Sequence, residues 1–169
     1  VEPLMRAGWV VYASDHRGHG LTAAGPETLG DFGEKGAELV VEVQHKLTTV
    51  IHGRHPDLPR ILLGHSLGSF FAQAYVFDHS QAIDGLVLSG TAAFGDRTGQ
   101  ARRLDEVRVP GEEPRTPFDW LSRDPAQVDA YIADPLCGFS RQPNSAESFA
   151  RVAARLKDPM EIAKIRKDL

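Results

Sequence analysis

The chain has 169 residues, 41% apolar and 25% charged, enough for one domain with a buried core. Its formal net charge of −4, with both signs interspersed, argues against nucleic acid or an anionic membrane surface as a partner. The single cysteine, Cys137, excludes an internal disulfide and a cysteine-based metal cluster, and fits the reducing cytoplasm.

In chain order, "VEPLMRAG" reads as the end of a helix stopped by Gly8. Trp9 to Ser14 is a short run rich in β-formers, which predicts a buried strand. The polar "DHRGHG" that follows predicts a loop, running on through Gly25, Pro26, Gly30 and Gly33. From about Asp31 or Glu34 a helical pattern takes over. Leu39, Val40, Val43, Leu47, Val50 and Ile51 share one face at period 3.6, and Gly53 and Pro56 end the helix. Ile61 to Leu63 predicts a second buried strand, and Ile83 to Ser89 a third. Between them Leu67, Phe70, Phe71, Ala74 and Tyr75 lie on one helical face. Strand, helix, strand, helix, strand is the pattern of a parallel sheet with helical crossovers, an α/β fold. After Gly90 the periodicity fades until about residue 118. Short helical stretches punctuated by Pro125, Pro135, Pro143 and Pro159 then run to the end. The chain thus divides into a sheet-and-helix core over 1–90 and a helical cap insertion over 91–169. No stretch approaches the ~18 apolar residues of a membrane span.

The segment "LLGHSLGSFFAQAY" carries the chemistry. An apolar strand ends at Gly64, and a helix begins after Ser66. A serine held in a tight strand-to-helix turn has an exposed Oγ and needs small residues two places to either side, here Gly64 and Gly68. The helix then points free N–H groups at the site, and the Leu67 N–H is the expected oxyanion donor. The alternative is architectural: a glycine-rich turn in which Ser66 only caps the helix.

These motifs resemble the α/β-hydrolase family, in particular its monoacylglycerol lipase-like and lysophospholipase-like serine hydrolases. "GWVVYASDHRGHGLT" resembles the fourth strand of that fold and its loop, and "LLGHSLGSFFAQAY" the fifth strand, nucleophile turn and following helix. "WLSRD" and "DPLCGF" resemble pieces of the cap. The resemblance implies hydrolysis of a small acyl-ester or lipid substrate through an acyl-enzyme on Ser66, with no metal or organic cofactor. A peptidase, thioesterase or acyltransferase of the same fold stays open, as does a non-catalytic binding module. The family orders its triad as Ser, acid, His. Only His79 follows Ser66, and thirteen helical residues place it about 20 Å away, beyond the reach of a general base. Asp96, Asp105, Asp119, Asp124, Asp129, Asp134 and Asp158 do not follow a strand beyond the cap. The catalytic acid and histidine are therefore expected outside this chain, which reads as an interior piece of a longer enzyme. The fold's third strand lies between its fourth and fifth, so Val10–Ser14 is expected not to pair with Ile61–Gly64.

Other residues carry lesser expectations. Asp15 and Arg17 read as a loop-bracing salt bridge, or as substrate ligands. Gly18 and Gly20 suit positive φ. His16 and His19 read as loop structure, His65 as a packing or backbone-bonding residue, and His45, His52 and His55 as surface residues. His79 reads as a helix-end residue whose charge suits the dipole. Phe118, Trp120, Tyr131, Leu136 and Phe139 could line an acyl pocket or form the cap's own core. Cys137 reads as a buried thiol without reactivity. The basic run from Arg151 to Lys167 reads as solvated helix faces.

Overall fold

The computed structural model describes residues 1–92 and 113–169. Asp96 and Asp105, and most of the aperiodic stretch after Gly90, lie outside the described residues. In order come α1 (Glu2–Arg6), α2 (Ala37–Arg54), β1 (Ile61–His65), α3 (Leu67–His79), β2 (Gly85–Ser89), α4 (Pro125–Ala133), α5 (Pro143–Arg155) and α6 (Pro159–Ile162). None of the described helices is long and apolar enough to cross a membrane.

β1 and β2 pair in parallel, with Ile61 opposite Gly85 and His65 opposite Ser89. α3 is the crossover between them, which gives the expected α/β unit. The core lies between this sheet, α2, α3 and α5. Phe32, Val40, Phe71, Ala74, Tyr75, Val76, Ile83, Val152 and Leu156 form one buried cluster. α3 is the centre of that cluster, since Phe71, Ala72, Ala74, Tyr75 and Val76 are all essentially solvent-free. A helix apolar on most of its circumference is covered on most sides.

Several local expectations change. β1, expected to be buried, is exposed at Ile61 and Leu63 because no further strand or helix covers that face among the described residues, and β2 begins at Gly85 rather than Ile83. The Trp9–Ser14 run forms no strand and is not buried: Trp9 is 47% and Val10 54% exposed. A strand exists through its ladder, and this run finds no partner among the described residues. As expected, it makes no pairing with Ile61–Gly64. α2 starts at Ala37, later than its periodicity suggests, and runs through Gly53. Its buried face is Ala37, Val40 and Val41, whereas Val43 and Val50 stay exposed. The covering layer is α3 and α5, and that contact selects a stripe rotated from the one read off the sequence.

The start of α2 is set by a distant serine. Gly36 sits at φ 63°, and a Cβ there would stand 2.2 Å from the Ser148 hydroxyl. That hydroxyl accepts the Ala37 N–H at 2.9 Å, a helix cap delivered from α5. Ser145 does the same for the Phe32 N–H at 2.8 Å. Both serines are buried, and neither announced itself in the sequence.

Candidate functional site

Ser66 joins the end of β1 to the start of α3. Its backbone sits at φ 50°, ψ −120°, the one positive φ at a non-glycine among the described residues. Such a conformation costs about 1–3 kcal/mol and persists only where the surroundings impose it. Here two contacts impose it. The Ser66 N–H donates to the Ser89 carbonyl at 2.9 Å, extending the β1–β2 ladder. The Ser66 carbonyl accepts the Ser69 N–H at 2.9 Å and the Ser69 hydroxyl at 2.6 Å. The serine is exposed, and its hydroxyl makes no hydrogen bond to the described residues. The Ser66 side chain makes no cap hydrogen bond at the start of α3.

The flanking glycines have separate reasons. A Cβ on Gly64 would lie 2.6 Å from the Gly68 carbonyl oxygen and 2.7 Å from the Ser69 Cα, so α3 lies directly against it. Gly68 has more room, and its nearest neighbour would be His16 Nε2 at 3.7 Å. Leu67 opens α3, and its N–H donates to none of the described residues, as the first helical amides do.

His16 thus stands on the site side of the loop. Its ring lies edge-on to Phe71 at 5.3 Å, and burial, with the neighbouring His19, pushes its pKa down. His19 stacks on Phe32, and its Nδ1 lies 3.0 Å from the Arg17 carbonyl oxygen. Asp15 and Arg17 do brace this loop, but not as a pair. The Asp15 carboxylate accepts the Leu21 N–H at 2.8 Å, and Arg17 Nε donates to the Phe32 carbonyl at 3.0 Å. Gly18 takes φ 67° beneath the Asp31 backbone, and Gly20 is likewise positive.

The other histidines make specific contacts. His65 Nδ1 lies 3.1 Å from the Ser89 hydroxyl, beside the Ser66 turn. His55 Nε2 lies 3.0 Å from the Tyr12 hydroxyl, and His52 meets Arg60. His45 is half-buried and stacks on His79 at 3.8 Å. His79 closes α3 as expected, and burial first, then His45, lowers its pKa, against a smaller opposing effect of Asp78. His79 and Asp78 border a cleft of about 150 Å³, lined also by Glu38, Val41, Glu42, Val152 and Arg155. It lies at the far end of α3, about 18 Å from Ser66 at 1.5 Å per residue, so it is no part of the serine site.

In the C-terminal region, Phe118 and Tyr131 pack on each other at 5.2 Å, while Trp120 and Leu136 are exposed and Phe139 meets the His19 ring at 5.1 Å. The Cys137 thiol is half-buried, and burial and Asp134 push its pKa up. Arg155 departs from the solvated face expected of it. It makes two bonds to Asp78 of α3, at 2.8 and 3.0 Å, and one to Glu161 at 2.6 Å. Among the described residues no group of three His, Cys, Asp or Glu side chains could hold a metal ion.

The chain is similar in sequence and fold to known proteins. The family described as "Serine aminopeptidase, S33" matches residues 1–166. A monoacylglycerol lipase of Mycolicibacterium smegmatis is 36% identical over 143 residues, which are 81% of this chain and 49% of that protein. A monoglyceride lipase homolog of Monkeypox virus is 27% identical over 83% of this chain and 51% of its own length. A highly thermostable carboxyl esterase from Bacillus coagulans, solved in complex with glycerol, superposes with a TM-score of 0.73 at 31% identity. That match covers 90% of this chain and 57% of the esterase. The chain therefore spans about half the length of the curated relatives it matches. By family match, parallel α/β architecture and strand–turn–helix site together, the chain belongs to the serine aminopeptidase S33 family of α/β-hydrolases.

Proposed function

We propose that the natural protein is a serine hydrolase of carboxylic esters, acting through an acyl-enzyme on Ser66. The observation that carries this is the backbone of Ser66, held at positive φ with its side chain exposed between β1 and α3. The hydroxyl attacks the ester carbonyl, the alcohol leaves, and water releases the acid. The Leu67 N–H, at the positive end of α3, donates to the developing oxyanion. Gly64 is the small residue the close approach of α3 demands, whereas Gly68, expected to be equally constrained, has room for a Cβ beside His16. The acid and histidine that activate Ser66 come from outside this chain. Residues 1–90 carry most of the core and 91–169 the cap over an acyl chain, with Val152 and Leu156 of the α5 region packing back into the core. The substrate is a monoacylglycerol, a lysophospholipid or a related small acyl ester, a reading supported by the lipases among the relatives. Its site is the reducing cytoplasm, in keeping with the single half-buried thiol.

A second reading keeps the turn as architecture in a non-catalytic binding module. It is favoured by the Ser66 hydroxyl, which meets no base among the described residues. Hydrolysis of p-nitrophenyl esters separates the two. The natural protein is expected to turn over, and Ser66→Ala to lose at least about a thousandfold in kcat. The 169-residue chain alone is expected to show negligible turnover. Undiminished activity in Ser66→Ala would remove the first reading.

A further inference from the structure

Most arginines of the described chain meet an acceptor. Arg155 meets Asp78, Arg151 meets Glu38, Arg115 meets Asp129, Arg60 meets Asp84, and Arg17 meets the Phe32 carbonyl. Arg141 does not. Its guanidinium lies over the Phe149 ring, 4.5 Å from the centroid, and makes no hydrogen bond or ion pair with the described residues. Arg54 and Arg123 are also unpaired, but no ring lies against them.

Arg141 is also held in place. The Gln142 N–H donates to the Gly30 carbonyl at 3.0 Å, and the Gln142 side chain reaches the Leu29 carbonyl at 3.3 Å. Gly30 takes φ 78°, and a Cβ there would stand 2.9 Å from the Arg141 Cα. The loop after Asp15 and the approach to α5 are thus locked together at this arginine. Phe149 beneath it packs on Phe70 at 6.0 Å and Phe71 at 5.8 Å. Phe70 follows Ser66 by four residues, about one helical turn of 5.4 Å. The cation is fixed on the same end of α3 as the candidate nucleophile. Arg141 is exposed to solvent, partial desolvation against the ring lowers its pKa, and no carboxylate among the described residues pairs with it. A guanidinium laid on a ring, with its backbone anchored and its donors unpaired among the described residues, suits a planar or tetrahedral oxyanion, which it grips through two N–H groups.

We propose that Arg141 anchors an anionic group of the substrate, so that the preferred ester carries a phosphate or carboxylate in reach of Ser66. This rests on the Ser66 reading for the word substrate, but its test needs no turnover. The natural protein carrying Ser66→Ala is titrated with three esters of one short acyl length: a monoacylglycerol, the corresponding lysophosphatidate, and the corresponding monoacyl glycerate, which carries a carboxylate in place of the phosphate. Lysophosphatidate or the acyl glycerate is expected to bind more tightly than the neutral ester. Arg141→Gln should weaken the anionic ligand about tenfold and leave the monoacylglycerol within about twofold, with Arg141→Lys recovering part of the loss. Loss confined to lysophosphatidate assigns a phosphate head group, and loss confined to the acyl glycerate assigns a carboxylate. Equal loss for the neutral and anionic ligands, or no loss for either anion, overturns the proposal. Unchanged thermal unfolding of Arg141→Gln excludes a folding defect as the cause. Failure of Ser66→Ala to abolish turnover would sink the nucleophile but leave this binding result standing.

Discussion

A methyl group added at Gly64 would stand 2.6 Å from the Gly68 carbonyl and 2.7 Å from the Ser69 Cα, both backbone atoms that cannot turn aside. Gly64→Ala is therefore expected to destabilise by about 1–3 kcal/mol in urea unfolding, whereas Gly68→Ala, with its nearest contact at 3.7 Å, is milder. Equal midpoints for the two variants would contradict this account of the turn. His79 makes a pH prediction. Its folded-state pKa lies below the ordinary 6.5, chiefly through burial. The unfolded chain therefore binds the proton first, and the stabilisation present above about pH 6.5 is lost as pH falls toward the folded pKa. The urea midpoint should drop between about pH 7.5 and about pH 5.5, and His79→Gln should flatten that slope. A slope unchanged by His79→Gln would remove this histidine from the explanation. At this scale Ser66, Gly64 and Gly18 were legible because their requirements are local. The partners of His45 and Arg155 were not, because each is chosen by an element distant in sequence.

Among the elements, α2 shows how far a helix depends on tertiary contacts. Its first amide is capped by Ser148, 111 residues away. Ser148→Ala leaves the Ala37 N–H buried without an acceptor and is expected to cost about 1–2 kcal/mol, read as a lower thermal or urea midpoint. A neutral Ser148→Ala would show that water replaces the cap. Helical periodicity locates α2, α3 and α5, but it does not say which neighbour covers them, so the buried stripe of α2 keeps Val40 yet is rotated toward Ala37 and Val41. The Trp9–Ser14 run shows the same limit for strands. Its β-forming residues are real, but pairing needs a second chain segment, and none of the described residues provides it.

For the molecule as a whole, order and type of the main elements were readable: strand, turn, helix, strand, then a helical region. The two-stranded sheet leaves one face open. Leu63 lies opposite Val87 in register, and they are 56% and 45% exposed, beside Ile61. Contiguous apolar sheet surface associates unless it is covered. The 169-residue chain is thus expected to self-associate at tens of micromolar in sedimentation equilibrium, and the Leu63→Lys, Val87→Lys double variant to shift toward monomer mass. A monomeric parent chain at that concentration would contradict this reading of the sheet face. The central claim places a reactive hydroxyl at position 66. Treating the natural protein with a fluorophosphonate and mapping the adduct by peptide mass spectrometry tests it directly. The account predicts one stoichiometric phosphonyl adduct on Ser66, absent from Ser66→Ala; an adduct on another residue, or labelling that survives Ser66→Ala, would contradict it.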